Sequence, residues 1–273
     1  MKPIKRAFLD TEDGQILYRI GGEGESLLLL HMTPRSSDEF RELMPIIAQN
    51  RCAIAMDLMG LGDSDKPPRM YSIADYAKTI IALLDELNIH KTSILGNHTG
   101  AYVAAEVAAA YPERIEKLIL CNIDKFSEEE KTTLVNRVSE ALQIKENSTD
   151  LVERWSVRDS YVGSQELNHR CFLDEMKCYG HPPYGTLAAT AYASTMPERL
   201  GLIKCPTLIL SGTEDIKVLK QLSLSKPENR QVIAQAIPQA KMLEIEGGSF
   251  CMMNQMPDKI SKVVLDFLDG TGD

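Results

Sequence analysis

Short apolar runs alternate along the chain with longer stretches in which apolar residues recur every three to four positions. That is the rhythm of strands and helices around a parallel sheet. Residues 7–20 read as two strands turning at Glu12-Asp13-Gly14, Ser26 to Met32 as a buried strand and Cys52 to Met56 as another. Between the last two, Ser37 to Gln49 places Phe40, Leu43, Ile46 and Ile47 on one helical face. Ile73 to Leu87 does the same with Tyr76, Ile80, Leu83, Leu84 and Leu87. A strand at Thr92 to Leu95 runs into the turn Gly96-Asn97-His98-Thr99-Gly100. An alanine-rich helix from Ala101 to Tyr111 follows, its Ala104, Ala105, Ala108 and Ala109 small enough to lie close against a sheet. Leu118 to Cys121, Thr207 to Leu210 and Lys241 to Ile245 complete the strands, and Asp258 to Leu268 reads as a closing helix.

Residues 123–203 interrupt this rhythm. They are polar, helix-like and hold many of the larger aromatics, among them Trp155, Tyr161, Tyr184 and Tyr192. The strands that resume at Thr207 need the earlier strands as neighbours. An insertion into one domain therefore fits better than two tandem domains. The expected organisation is an α/β core formed by 1–122 and 204–273, with a helical cap at 123–203.

The formal net charge of -9, with Lys and Arg scattered, argues against nucleic acid or an anionic membrane as partner. The longest apolar run, Leu27 to Leu30, is far short of a membrane span, and residues 1–10 lack the apolar segment of a signal peptide. Six dispersed cysteines without a C-x-x-C pair suggest reduced core residues of a cytoplasmic protein, although Cys171 and Cys178 are close enough in sequence to pair. The five histidines have no metal-ligand spacing, so neither a metal nor a cofactor is expected. The sequence leaves the oligomeric state open.

The turn Gly96-Asn97-His98-Thr99-Gly100 sits between a strand and a helix, as a G-x-nucleophile-x-G elbow does. Four further segments occur in the matching order. Leu28 to Pro34 is similar to an H-G-x-P oxyanion segment, and Asp57 to Ser64 to a D-x-x-G-x-G-x-S loop. Pro206 to Asp215 is similar to the strand and turn that deliver an acid, and Ile245 to Phe250 to the segment that delivers a histidine. Together, over nearly the whole chain, they resemble the α/β-hydrolase fold superfamily. The resemblance implies a mostly parallel twisted sheet flanked by helices, a cap over its C-terminal edge, backbone N–H groups of Thr33 and Thr99 as oxyanion donors, and Asp215 as the acid. His31 resembles the histidine that braces the oxyanion loop. Asp124 reads as a helix cap before Ser127. Candidate substrate contacts are His31, Met32, Trp155, His181 and Tyr184.

Three positions depart from the family pattern. The elbow carries His98 instead of serine, Ser249 stands where the histidine is expected, and Met32 replaces the usual glycine. No histidine follows His181, so the order serine–acid–histidine is unavailable whatever the alignment. One arrangement would pair His98 with Ser249, with Asp215 near the serine. That order loses the carboxylate that orients the imidazole, a loss of up to about 10⁴ in rate in the usual arrangement. In the other, His98 takes the main role as base or nucleophile, with Asp215 and Ser249 as supporting polar groups. The expected function is a cofactor-independent enzyme, first a hydrolase, acting on a small carbonyl compound such as an ester, lactone or β-dicarbonyl. Two other readings stand beside it: a lyase, cyclase or decarboxylase in which His98 moves protons, and a binding protein without catalysis.

Overall fold

A computed structural model describes residues 3–271 apart from 142, 179–183, 194, 222–223 and 225–226. Eight strands form one sheet in the order β1-β2-β4-β3-β5-β6-β7-β8. They are β1 Lys5–Thr11, β2 Gly14–Gly21, β3 Ser26–Leu30, β4 Cys52–Met56, β5 Thr92–Asn97, β6 Ile115–Cys121, β7 Thr207–Gly212 and β8 Lys241–Ile245. β1 and β2 pair antiparallel, β2 joins β4 antiparallel, and β4 through β8 run parallel. The α/β architecture expected from the sequence is the one observed.

The contiguous apolar strands follow from burial on both faces. Leu28 and Leu30 of β3, with Ile54, Ile94 and Leu120, face the core that contains Tyr76, Ile80 and Leu84. These three lie on α2, Ile73–Glu86. Leu27 and Leu29 face the opposite way and join Phe40, Leu43, Ile260 and Val264. Ser72 starts α2 through a reciprocal capping box with Asp75.

The helix expected over Ser37–Gln49 divides instead into a 3₁₀ turn at Ser37–Phe40 and a short helix, α1, at Leu43–Ile47. Pro45 explains the division. Its ring lacks an N–H and would collide with the carbonyl four residues earlier if the helix ran through. The helix after the elbow, α3, spans Thr99–Ala110 and so begins directly behind His98.

Between β6 and β7 lie α4 Glu128–Ala141, α5 Thr149–Val162, α6 Gln165–Met176, α7 Tyr184–Tyr192 and α8 Met196–Leu200. α7 and α8 pack on α3. α6 is tied to the segment after β3 by Asp174, which accepts from Arg35 Nε at 2.9 Å, from Ser36 N at 3.0 Å and from Ser36 Oγ at 2.5 Å. α9 Thr213–Gln221 and α10 Pro227–Ala236 join β7 to β8, and α11 Met252–Gln255 and α12 Pro257–Asp269 close the fold. Asp215, expected in a turn, therefore lies in the first turn of a helix. Cys171 packs against Cys251 on the loop after β8 and not against Cys178, and all six cysteines are free thiols. No helix among the described residues is long and apolar enough to cross a membrane.

The tightest backbone contact surrounds the elbow. A Cβ on Gly100 would stand 2.0 Å from the Leu30 carbonyl oxygen, and one on Gly96 would stand 2.2 Å from the Gly100 carbonyl oxygen. Gly100→Ala is expected to lose about 3 kcal/mol or more, the upper end of overpacking effects, because main chain must move on both sides. Gly201→Ala, whose added carbon meets the Glu198 and Pro197 carbonyls at an ordinary 3.7 and 4.0 Å, is expected to stay within about 0.5 kcal/mol of the parent. Urea unfolding of the two variants checks the contrast.

Candidate active site

β5 ends at Asn97, α3 begins at Thr99, and His98 alone makes the turn with φ 45° and ψ −113°. A non-glycine residue held there costs about 1–3 kcal/mol. The turn lifts the imidazole off the end of the sheet, where its Nε2 meets Asp215 Oδ1 at 2.9 Å. Asp215 is placed by its own main chain, since the N–H groups of Glu214 and Asp215 donate to the Gly248 carbonyl at 2.9 and 3.0 Å. Its other oxygen accepts a short bond from Arg230 Nη2. Arg230 comes from α10, is wholly buried, and also donates to Asp124 through Nε at 3.0 Å and Nη2 at 2.9 Å.

Burial by itself would raise the Asp215 carboxyl pKa. The imidazole and the Arg230 guanidinium outweigh it and hold the group below the usual carboxylate range. An ionised Asp215 accepts the Nε2–H of His98, which leaves the lone pair of the neutral ring on Nδ1. Nδ1 has no hydrogen-bond partner among the described residues. Phe250 stacks on the imidazole, with centroids 4.9 Å apart and planes 10° from parallel, and so sets the ring's tilt.

Ser249 does not pair with His98. Its hydroxyl donates to Gln255 Oε1 at 2.6 Å and accepts from the Cys251 N–H at 3.0 Å. The reason is local: a serine hydroxyl readily satisfies the N–H two residues ahead, and the Phe250 ring lies against the imidazole. Asp215, expected near the serine in that pairing, bonds the imidazole instead.

A cavity of about 240 Å³ opens beside His98 and is bordered by Met32, Thr33 and Thr99. The inserted helices contribute Leu134 and Val138 from α4 and Ala189 from α7. His31 is not at its wall. It is buried, and because its Nε2 accepts from the Leu58 N–H at 2.9 Å, its Nδ1 carries the proton and donates to the Met32 carbonyl at 2.8 Å. Trp155 packs edge-on against His169 and Phe172, away from the cavity. Tyr184 borders a separate hollow with Met59 and Tyr76. His181 lies outside the described residues.

Several site groups carry no local sequence signal. Asp124 binds Arg230, and the cap of α4 is Ser127, whose Oγ accepts from the Glu130 N–H while its own N–H donates to Glu130 Oε2. Asn97 Nδ2 donates to buried Glu39 Oε1 at 2.6 Å, and Met32 N–H donates to Glu39 Oε2 at 2.8 Å. Asn122 Nδ2 reaches Asn97 Oδ1 at 3.3 Å, and Asn122 Oδ1 accepts from Arg230 Nη1 at 3.3 Å. A continuous polar chain thus runs from the oxyanion-like segment beneath the elbow to the His98–Asp215 pair.

Removing Arg230 would take from buried Asp215 and Asp124 the guanidinium they share. Arg230→Met is expected to cost about 3–5 kcal/mol at neutral pH. The Asp215 contribution in the parent is present above the ordinary carboxylate pKa and is lost as pH falls through its depressed native value. In the variant the carboxylates take up protons at a higher pH, which removes the charge that the guanidinium had balanced. The difference in stability between the two proteins should therefore shrink on acidification, and melting curves from pH 7 down to about pH 4 measure it.

A family model for the alpha/beta hydrolase fold matches residues 25–143. A putative carbamate hydrolase from Azorhizobium caulinodans is 25% identical over 268 residues, 93% of this chain and 95% of that protein. A cis-3-alkyl-4-alkyloxetan-2-one decarboxylase from Shewanella oneidensis is 33% identical over 128 residues, 45% of this chain and 40% of that protein. In the relatives that are 33% to 38% identical, the match spans 30% to 40% of their own length. Among solved structures, the enol-lactonase from Burkholderia xenovorans superposes with a TM-score of 0.77 at 21% identity, covering 96% of this chain and 100% of that one. The sheet order, the strained turn after β5, the acid after β7 and these likenesses agree, and the chain is a protein of the α/β-hydrolase fold.

Proposed function

We propose that the protein is a cofactor-independent hydrolase of a small carbonyl compound, an ester or a lactone, in which His98 is the base. The observation that carries this reading is the bond from His98 Nε2 to buried Asp215. It orients the ring and stabilises it when it takes up a proton, which is the part the acid plays in the standard triad. A water beside Nδ1 gives its proton to the ring as its oxygen bonds to the substrate carbonyl carbon. The oxyanion is held by the N–H groups of Thr33 and Thr99, each worth about 2.7–4 kcal/mol. Collapse breaks the bond to the leaving oxygen, which takes the proton back from Nδ1. The inserted helices act as a cap that keeps the pocket apolar, and Ser249 supports the loop that carries Phe250.

The relatives add support in kind. One is a putative carbamate hydrolase and another acts on an oxetan-2-one. The second lends weight to a rival reading in which His98 only moves protons in a lyase reaction. The six free thiols suit a reducing compartment such as the cytoplasm.

Hydrolysis of activated aryl esters tests the assignment. His98→Ala is expected to remove about 10²–10⁴ of the rate, the usual worth of a positioned base. Asp215→Asn should reduce it by up to about 10⁴ through loss of ring orientation. Ser249→Ala, which removes no contact to the imidazole, should leave the rate close to that of the parent. A rate lost with Ser249→Ala and kept with His98→Ala would reverse the roles. Turnover of an ester or lactone to a product that has not gained water would favour the lyase reading.

A further inference from the structure

Three side chains join two main-chain N–H groups beneath the elbow, and the two ends dictate what the middle must be. At one end the Gly212 N–H donates to Asn122 Oδ1 at 2.9 Å, which turns Asn122 Nδ2 toward Asn97 Oδ1 at 3.3 Å. Asn97 then has its Nδ2 to offer Glu39 Oε1, at 2.6 Å. At the other end the Met32 N–H donates to Glu39 Oε2 at 2.8 Å. A main-chain N–H can only donate, so neither end can be reversed. Two runs of donors therefore converge on residue 39, and a carboxylate, which accepts on both sides, satisfies them. Glu39 is buried, so a donor left facing a donor there carries its full desolvation cost.

What this run holds is the main chain of the oxyanion-like segment. Glu39 fixes the peptide unit that ends in the Met32 N–H. The next unit is fixed at the Met32 carbonyl, which accepts from His31 Nδ1 at 2.8 Å and from the Arg35 N–H at 3.0 Å. The two planes meet at the Met32 Cα, so both of its torsions are set. The Thr33 N–H belongs to the second plane and points the opposite way from that carbonyl. Glu39 is itself placed by its main chain. It stands in the 3₁₀ turn capped by Ser36, and its carbonyl accepts from Asn254 Nδ2 at 2.9 Å.

We infer that Glu39 is a positioning residue of the site: by accepting on both sides, it fixes the Thr33 N–H relative to the turn that carries His98. The inference rests on the reading of Thr33 as an oxyanion donor. Glu39 is not among the described wall residues of the cavity and acts through Met32 and Asn97.

Glu39→Gln tests it, because an amide puts a donor where an acceptor is required. However the side chains turn, one N–H is left facing another. With para-nitrophenyl butyrate, kcat is expected to fall about 10²-fold, the scale of a small misplacement of a catalytic group, while KM stays close to that of the parent. Adding Asn97→Asp moves the point of convergence one residue along the run. The introduced carboxylate accepts from Asn122 and from the introduced amide, whose oxygen accepts from the Met32 N–H. The double variant should regain at least about tenfold in kcat over Glu39→Gln. In protein carrying isotope-labelled methionine, the Met32 amide resonance should move in Glu39→Gln and return toward its parental position in the double variant. A parental kcat in Glu39→Gln, or a double variant no faster than the single one, overturns the inference. Should Glu39→Gln fail to fold, the double variant decides: near-parental kcat supports the role, and a folded protein slowed about 10²-fold overturns it. A parent that hydrolyses no ester brings down the hydrolytic reading alone. The amide resonance then decides on Glu39, and one that does not move in Glu39→Gln overturns its role.

Discussion

A side chain can stand clear of the sheet at position 98 only because three lengths of main chain meet there with almost nothing between them. Gly96 closes on the Gly100 carbonyl, and Gly100 closes on the Leu30 carbonyl of the neighbouring strand. No larger residue fits either place. The helix that follows is pressed so near the sheet that its inner face is alanine through Ala101, Ala104, Ala105 and Ala108, every one buried. This contact sets where α3 starts, and hence where its free N–H groups point. It also fixes the height at which residue 98 meets the loops after β7 and β8. The strain at His98 is carried by packing on all sides.

At that height His98 reaches Asp215 from the turn after β5. Ser249 turns into its own backbone and Gln255, and Phe250 lies flat on the ring of His98. The carboxylate and the imidazole meet across the ends of β7 and β5, and Nδ1 is the ring nitrogen left without a protein partner among the described residues.

Keeping Asp215 ionised in a site with no exposed surface needs more than one histidine, whose charge comes and goes with the proton. Arg230 supplies a permanent one. It lies between Asp215 and Asp124, and Asn122 links it to the chain through Asn97 and Glu39. Burial pushes the Glu39 carboxyl above its ordinary range even though Arg35, the Met32 N–H and Asn97 pull it down. The polar chain therefore runs from Asp215, whose carboxyl pKa is held below the usual range, to Glu39, whose carboxyl pKa burial pushes above it. It ties the oxyanion-like segment to the elbow through Glu39 and Asn97.

The sequence by itself determined the strands of the sheet, the helical stretch between β6 and β7 and the residue that makes the turn after β5. Those features are local: apolar runs of strand length, two glycines around a turn, and the absence of any histidine after His181. It also marked Asp215 as a candidate acid, because the strand Thr207 to Gly212 ends just before it. Only the tertiary structure decided the partnerships. Arg230 sits in a polar helix whose spacing gives no hint that it is buried, and it meets Asp124 from 106 positions away. Asp124 looked like a cap because a capping serine stands three residues on. Ser249 looked like a partner of His98 because both occupy triad positions, yet a hydroxyl bonds to whichever group is nearest, and Cys251 N–H and Gln255 are nearer. Trp155 and Tyr184 have the composition of pocket residues, but which face of an inserted helix meets the cavity depends on how the helices pack, and no period in the sequence encodes that.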